Sequence, residues 1–205
     1  MKENQITSNL ELMVINMKNK EKNKDKTQII TQIKKHSLLT DKCILAREFL
    51  SPQSNDMEKI IKEDLCIGEP LNKISGDGHK NGVNYEIKYS GHCKQSIFNF
   101  VQIRPDHDID YYILIGYNMY DNDNVKGKAY TFKISSKNMY DLVMAYGGYA
   151  HGTCTTLGKI TNENLKGRNC EYVVRCNPNA KKGTKKYILW NELLKYKILY
   201  LEENF

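Results

Sequence analysis

The residues best suited to chemistry lie between Lys73 and Ser90, in the stretch KISGDGHKNGVNYEIKYS. Asp77 lies between two glycines, and Glu86 and Lys88 follow it, two positions apart. Carboxylate oxygens bind hard divalent cations such as Mg²⁺, which polarise a phosphoryl oxygen and lower the pKa of a bound water. A nearby ammonium stabilises the charge that develops on the phosphorus. This combination indicates phosphodiester hydrolysis, although Glu86 and Lys88 by themselves are explained by an ordinary ion pair on an edge strand.

A strand over 83–90 is expected to position these groups. Its apolar and polar residues alternate, so one face packs on the core. The opposite face carries Asn84, Glu86, Lys88 and Ser90. The glycines beside Asp77 let the chain bend. A hairpin-like return would then bring Asp77 alongside Glu86.

A helix over about 57–65, capped by Asn55 or Asp56, precedes this stretch. Its apolar stripe has helical spacing, with Glu58 at the edge of the stripe and Asp64 within it. A carboxylate beside an apolar stripe needs a partner or a metal, because burying it alone is costly. Glu58 and Asp64 are therefore alternative candidates for a third acid.

In this order, Glu58, Asp77, Glu86 and Lys88 resemble the active-site core of the PD-(D/E)xK nuclease superfamily, particularly of type II restriction endonucleases. In that family an acid on a helix precedes an Asp at a strand end, and an (E/D)xK follows on the next strand. The run SPQSNDME over 51–58 also resembles the start of the helix in some restriction enzymes, which favours Glu58 over Asp64. Gly76 stands where the family name puts proline. The resemblance covers roughly residues 51–120.

The resemblance implies an α/β fold with a restriction-endonuclease-like core, in which a central mixed β-sheet is flanked by α-helices. It implies that Asp77, Glu86 and Glu58 ligate Mg²⁺, with Mn²⁺ able to substitute, and that Lys88 is catalytic. The implied activity is hydrolysis of double-stranded DNA at a specific short sequence, alongside a companion DNA methyltransferase. A homodimer suits a palindromic site when each chain has one active site.

Length and composition agree with a folded DNA-binding protein. The 205 residues are 40% apolar, which is typical of a folded domain. Lysines alternate with polar residues from Lys18 to Lys26, so we expect a flexible basic arm over 1–26 and one domain over 27–205. We expect the elements that read DNA sequence mainly in 121–205. The formal charge of +7 favours a polyanionic partner. No apolar run approaches the ~18 residues of a membrane span, and cysteines without a CxxC pair indicate reduced thiols and a cytoplasmic location.

The rest of the chain is expected to form an α/β sandwich around one mixed sheet. The Tyr111–Tyr120 run has the character of a central buried strand, and the segment around Tyr130 to Ile134 that of a half-exposed one. The other predicted elements are helices over 28–39 and 41–50, a strand over 97–104, a helix from Ser136 to Tyr146, a strand over 171–176 and an apolar segment over 187–200.

Further polar residues are candidates for DNA contact. His79, Lys80 and Asn81 lie in a predicted loop between Asp77 and the next strand. Gln102 and Arg104 are expected on one face of the 97–104 strand together with Phe98 and Phe100, which aims Gln102 at the same cleft. His151 and Thr153 can hydrogen bond a base edge. Lys181, Lys182 and Lys185 form a basic cluster suited to phosphates. All of these residue types also occur in loops and turns without function.

Other interpretations remain open at this point. His151, Cys154, Cys170 and Cys176 are a possible zinc set, for which buried free thiols are the alternative. A nuclease of this fold can also serve DNA repair, junction resolution or defence against mobile elements, because the same site does the same hydrolysis. A non-catalytic DNA-binding protein and an RNA-directed enzyme are the remaining alternatives.

Overall fold

A computed structural model describes residues 14, 26–51, 55–91, 96–119, 126–150, 158–165 and 170–200. The fold of these residues is mixed α/β, as predicted. The described helices are α1 (Lys26–Lys34), α2 (Leu39–Phe49), α3 (Asp56–Asp64), α4 (Ser136–Tyr146), α5 (Asn162–Leu165) and α6 (Lys185–Leu194). The described strands are β1 (Gly78–Lys80), β2 (Val83–Ser90), β3 (Phe98–Ile103), β4 (Tyr111–Asn118), β5 (Lys128–Ser135), β6 (Gly148–Tyr149), β7 (Tyr172–Cys176) and β8 (Lys197–Ile198).

The main sheet within the described residues has five strands in the order β1-β2-β4-β5-β8. β2 runs parallel to β4, and the other neighbours are antiparallel. This mixed sheet confirms the predicted central sheet, and β4 lies in its middle, as its nearly continuous apolar sequence indicated. The register places Glu86 beside Tyr112 and Lys88 beside Leu114, so the two pairs share one face.

A second sheet corrects the prediction of a single one. Within the described chain, β3, β7 and β6 pair antiparallel in the order β3-β7-β6. Because β2 and β4 are parallel, the chain must leave the sheet between them in a crossover. β3 lies in that crossover and pairs with β7 instead of joining the main sheet.

The main sheet is buried on both faces. On one face, Ile113 and Ile115 belong to a core shared with α1, α2 and α3. On the other, Tyr112 and Leu114 belong to a core formed with the second sheet, α4 and α6. On β5 the polar Thr131 is covered while Lys133 on the same face stays partly exposed, so the predicted half-exposed strand near Tyr130 is confirmed only in part.

Element boundaries differ from the predictions in two places. The helix predicted over 28–39 ends at Lys34, and Leu39 already begins α2. The apolar segment over 187–200 divides into α6 and the short edge strand β8. None of the described helices has the length and apolar character needed to cross a membrane.

Candidate active site

A tight hairpin places Asp77 next to Glu86. β1 and β2 pair antiparallel from Lys80 opposite Val83 to Gly78 opposite Tyr85. Asn81 and Gly82 link the strands with φ of 53° and 80°, the backbone of a two-residue turn that suits the twist of a hairpin. The Asp77 backbone N–H donates to the Tyr85 carbonyl oxygen at 2.8 Å, which holds Asp77 against β2 just before β1 begins. The predicted return of the chain is therefore confirmed.

The edge of β2 beyond the hairpin is bordered by two carboxylates. The Ile87 N–H donates to Asp77 Oδ2 at 2.8 Å, and the Tyr89 N–H donates to Glu58 Oε1 at 3.0 Å. These N–H groups lie on the side of β2 where β1 has already ended, and an edge strand needs acceptors there. The edge of β2 thus brings together an acid from the hairpin and an acid from α3.

Glu86 and Lys88 complete the cluster from the face of β2. Lys88 Nζ lies 2.6 Å from Glu86 Oε1 and 4.0 Å from Asp77 Oδ2. The exposed fraction is only 4% for Glu86 and 7% for Lys88. The pair is therefore not the solvent-exposed ion pair that an isolated ExK on an edge strand would form.

The charges of the cluster are strongly coupled. Burial raises the pKa of Glu58 to about 7, with Lys88 opposing and Asp77 and Glu86 adding to the rise. Burial also raises the pKa of Glu86, against the effect of Lys88. For Lys88 burial acts to lower the pKa, but the three surrounding carboxylates outweigh it and the pKa rises. Lys88 thus stays charged, and the cluster favours a further cation.

The donor set fits Mg²⁺ in its chemistry. Asp77, Glu86 and Glu58 offer the hard oxygen ligands that Mg²⁺ prefers. The backbone bonds engage Asp77 Oδ2 and Glu58 Oε1, so each carboxylate keeps a second oxygen for a cation. Within the described residues no three His, Cys, Asp or Glu side chains stand at metal-ligand spacing. When bound, Mg²⁺ would supply Lewis acidity and an activated water.

The structure separates Glu58 from Asp64, the two candidates for the third acid. Asp64 Oδ2 forms an ion pair with Lys42 of α2 and accepts a hydrogen bond from the Tyr200 hydroxyl at 2.6 Å. Neither of these two partners belongs to the cluster around Lys88. Glu58, whose carboxylate reaches the edge of β2, is the one that joins Asp77 and Glu86.

A cleft of about 130 Å³ opens beside the cluster. Its lining is Asn55, Glu58, Lys59, Lys62 and Asp77. Sequence reasoning missed Lys59 and Lys62. The signal that could have found them is their spacing of four and seven residues from Asn55, which puts them on the same side of the helix as Asn55 and Glu58.

Two of the residues predicted in the loop after Asp77 lie in a strand instead. His79 and Lys80 belong to β1, and Asn81 is in the turn. His79 Nδ1 lies 2.8 Å from Asn84 Oδ1, and Lys80 Nζ donates to the Leu65 carbonyl oxygen at 2.9 Å. The loop prediction is wrong because the two-residue turn is shorter than expected, and both side chains have protein partners.

Gln102 does not share a face with Phe98 and Phe100. The register of β3 with β7 shifts between Phe100 and Ile103, and Gln102 has a φ of 58°. This irregularity buries Ile103 and leaves Gln102 exposed. The predicted alternation is therefore wrong from Gln102 onward.

Arg104 lies within electrostatic reach of the cluster. Its Nε donates to Glu171 Oε1 at 3.0 Å. Arg104 also acts, with Lys88, against the rise that burial imposes on the pKa of Glu86. It is thus the one candidate from β3 and its end that the structure links to Glu86.

The other candidates lie around the start of α6 or outside the described residues. Lys181 and Lys182 are exposed before α6, and Lys185 is the first residue of that helix. His151, Thr153 and Cys154 lie outside the described residues, as does most of the predicted arm over 1–26. Cys170 and Cys176 are buried in the core beneath the second sheet and are not in a disulfide.

Comparisons with protein-family models, with curated proteins and with solved structures found no match for this chain. Function is therefore inferred from the chemistry of the site alone. The site joins an acid on a helix, an acid at a strand end and a buried Glu–Lys pair on the next strand.

Proposed function

We propose that this protein is a Mg²⁺-dependent endonuclease with a restriction-endonuclease-like core, which cleaves double-stranded DNA at a short specific sequence. The observation that carries the proposal is the convergence of Asp77, Glu86 and Glu58 around Lys88 on β2. A protein that only binds DNA gains nothing from several acids facing the phosphates. The net charge of +7 supports a polyanionic substrate.

Each residue of the cluster has a role in this proposal. Asp77, Glu86 and Glu58 hold the cation, which Mn²⁺ can replace. Lys88 is charged and lies between Glu86 and Asp77, where it can orient a water or stabilise negative charge on the phosphorus. A homodimer, a cytoplasmic location and a companion methyltransferase that protects host DNA belong to the same proposal.

The test is incubation of the purified protein with plasmid and phage DNA, in Mg²⁺, in Mn²⁺ and in EDTA, read on a gel. Discrete bands that require the cation are expected, and sequencing of their ends gives the recognised site. A smear would support a nuclease but contradict cleavage at a specific sequence. Cleavage only at branches or mismatches would favour repair or junction resolution. Intact DNA on duplex, branched and single-stranded substrates would overturn the proposal in favour of a binding protein.

A further inference from the structure

Helix α3 presents a polar face to the cleft. Asn55, Glu58, Lys59 and Lys62 have the spacing i, i+3, i+4 and i+7, which puts them on one side of the helix. Met57, Ile60 and Ile61 are buried on the other side. Asp77 completes the lining of the cleft. The cleft therefore contains cationic groups as well as two of the acids of the cluster.

Lys62 is held in place by packing. A Cβ on Gly78 would come within 3.2 Å of Lys62 Cε, so the lysine stem passes close over the residue next to Asp77. The Lys62 side chain is 16% exposed, and its ammonium lies 3.0 Å from Glu69 Oε1. The Glu69 side chain is 90% exposed. Such an exposed ion pair is weak, so a bound phosphate can replace Glu69 as the partner of Lys62.

Lys59 and Asn55 have donors to offer a ligand. Lys59 is exposed and, among the described residues, forms no ion pair. Asn55 is the N-cap residue of α3, yet its side chain makes no capping hydrogen bond. The amide N–H₂ of Asn55 and the ammonium of Lys59 are both suited to phosphate oxygens.

We infer that Asn55, Lys59 and Lys62 form a phosphate-binding track, which holds the DNA backbone next to the scissile phosphate. The inference rests on the proposed function in taking DNA as the polyanion. Glu58 and Asp77 repel a phosphate, so the backbone must gain its attraction from the cationic side of the cleft. Contacts to phosphates fix the position of a protein on the duplex without reading its sequence.

The test is the salt dependence of DNA binding. Binding of a fluorescent duplex oligonucleotide is measured by anisotropy in EDTA over a series of salt concentrations. The variants are Lys59→Ala, Lys62→Met and their combination. Methionine keeps an apolar stem over Gly78. Lys137→Ala is the control, because Lys137 is an exposed lysine in the first turn of α4, in the opposite layer.

A plot of log K against log salt concentration has a negative slope. Each lost phosphate contact reduces the magnitude of this slope by about 0.9. We expect that loss for each single variant, twice that loss for the combination, and no change for Lys137→Ala. If Lys62→Met does not fold, as judged by its thermal melt, Lys59→Ala alone decides the result. Unchanged slopes in the folded variants would overturn the inference, and so would an equal loss in Lys137→Ala, which would reflect net charge only.

These outcomes separate the inference from the nuclease proposal. If the wild-type protein cleaves DNA and its lysine variants keep the wild-type slope, the nuclease proposal is supported and the phosphate track is contradicted. If the wild-type protein never cleaves DNA but the magnitude of the slope falls in the lysine variants, the phosphate track is supported and the nuclease proposal is contradicted.

Discussion

Lys88 determines the charge balance of the candidate site. It is 7% exposed, and its ammonium lies 2.6 Å from Glu86 Oε1. Burial alone would favour the neutral amine, but the nearby carboxylates raise the pKa of Lys88 above its ordinary value. Glu86, buried as deeply, in turn depends on Lys88 as its partner. Removing one member of such a pair leaves an uncompensated buried charge.

Replacement of Lys88 therefore tests catalysis only with a control for folding. We expect Lys88→Ala to lower the cleavage rate by roughly 10²–10³-fold, the cost of losing one group that stabilises the transition state, while DNA binding survives. The double variant Lys88→Met with Glu86→Gln removes both charges and is expected to fold stably but stay inactive. Cleavage rates, anisotropy and thermal melts are measured together. Undiminished cleavage by Lys88→Ala would remove the lysine from the active site.

Asp77 and Glu58 allow a cleaner substitution, because their amides keep the structural hydrogen bonds. Asp77→Asn still accepts from the Ile87 N–H, and Glu58→Gln still accepts from the Tyr89 N–H. Each variant loses the charge that a cation needs, so we expect Mg²⁺-dependent cleavage to fall by about 10²-fold or more, above the usual cost of disturbing a group behind a metal ligand. The matched control is Asp64→Asn combined with Lys42→Met, which removes both charges of that buried pair and should keep its cleavage rate. Equal activity losses in Glu58→Gln and in this control would contradict the choice of Glu58.

At the scale of elements, the hairpin explains why glycine precedes Asp77. Gly76 has a φ of 75°, whereas proline is restricted to a φ near −65°. A Cβ at Gly76 would also lie 2.5 Å from the Tyr85 carbonyl oxygen. A proline therefore does not fit this backbone position, and glycine does.

Gly76 and Gly82 form a matched pair for testing the hairpin. Gly82 has a φ of 80° but no atom within 4 Å of a Cβ. Gly82→Ala should therefore destabilise the protein only by the cost of a left-handed backbone, about 1–2 kcal/mol. Gly76→Ala adds a backbone clash, worth a further ~1–3 kcal/mol, and shifts Asp77. We expect denaturant unfolding to show the larger loss of unfolding free energy for Gly76→Ala. The cleavage rate should also fall more in that variant than in Gly82→Ala. Equal losses would contradict the hairpin geometry.

Local sequence signals were sufficient for the elements but not for their assembly. Alternation along β2 and the glycines near Asp77 predicted the strand and the hairpin, because both depend on nearest neighbours. The irregularity at Gln102 and the pairing of β3 with β7 depend on contacts remote in sequence, which no periodicity encodes. The choice between Glu58 and Asp64 likewise required the position of Lys42, which the sequence alone does not bring near α3.

At the scale of the whole molecule, Lys42 and Asp64 join two helices of one layer, and Tyr200, which follows β8, also contacts Asp64. The Lys42 side chain is 3% exposed and that of Asp64 16%. Lys42→Met should cost roughly 3–5 kcal/mol, because it leaves a buried carboxylate unpaired. Lys42→Met with Asp64→Asn should recover most of that loss, because the amide oxygen still accepts from the Tyr200 hydroxyl. Chemical unfolding measures both, and a double variant as unstable as the single one would contradict a simple charge effect.

The expected assembly is argued from the symmetry of the proposed substrate. Each chain has one cluster around Lys88, which in the proposed nuclease would hydrolyse one strand at a time. A palindromic duplex presents two phosphates related by a twofold axis, so a symmetric pair of chains can cut both strands in one encounter. We therefore expect a homodimer, either free or formed on DNA, with an interface of roughly 1,200–2,000 Å² in total.

Sedimentation velocity with and without a duplex that carries the cleaved sequence checks this expectation. The catalytically impaired Asp77→Asn variant keeps the DNA intact during the run. A species of two chains on one duplex agrees with concerted cleavage, and plasmid should then pass directly from supercoiled to linear. A monomer under both conditions, together with accumulation of nicked circles, would mean that the strands are cut in separate encounters and would contradict the homodimer.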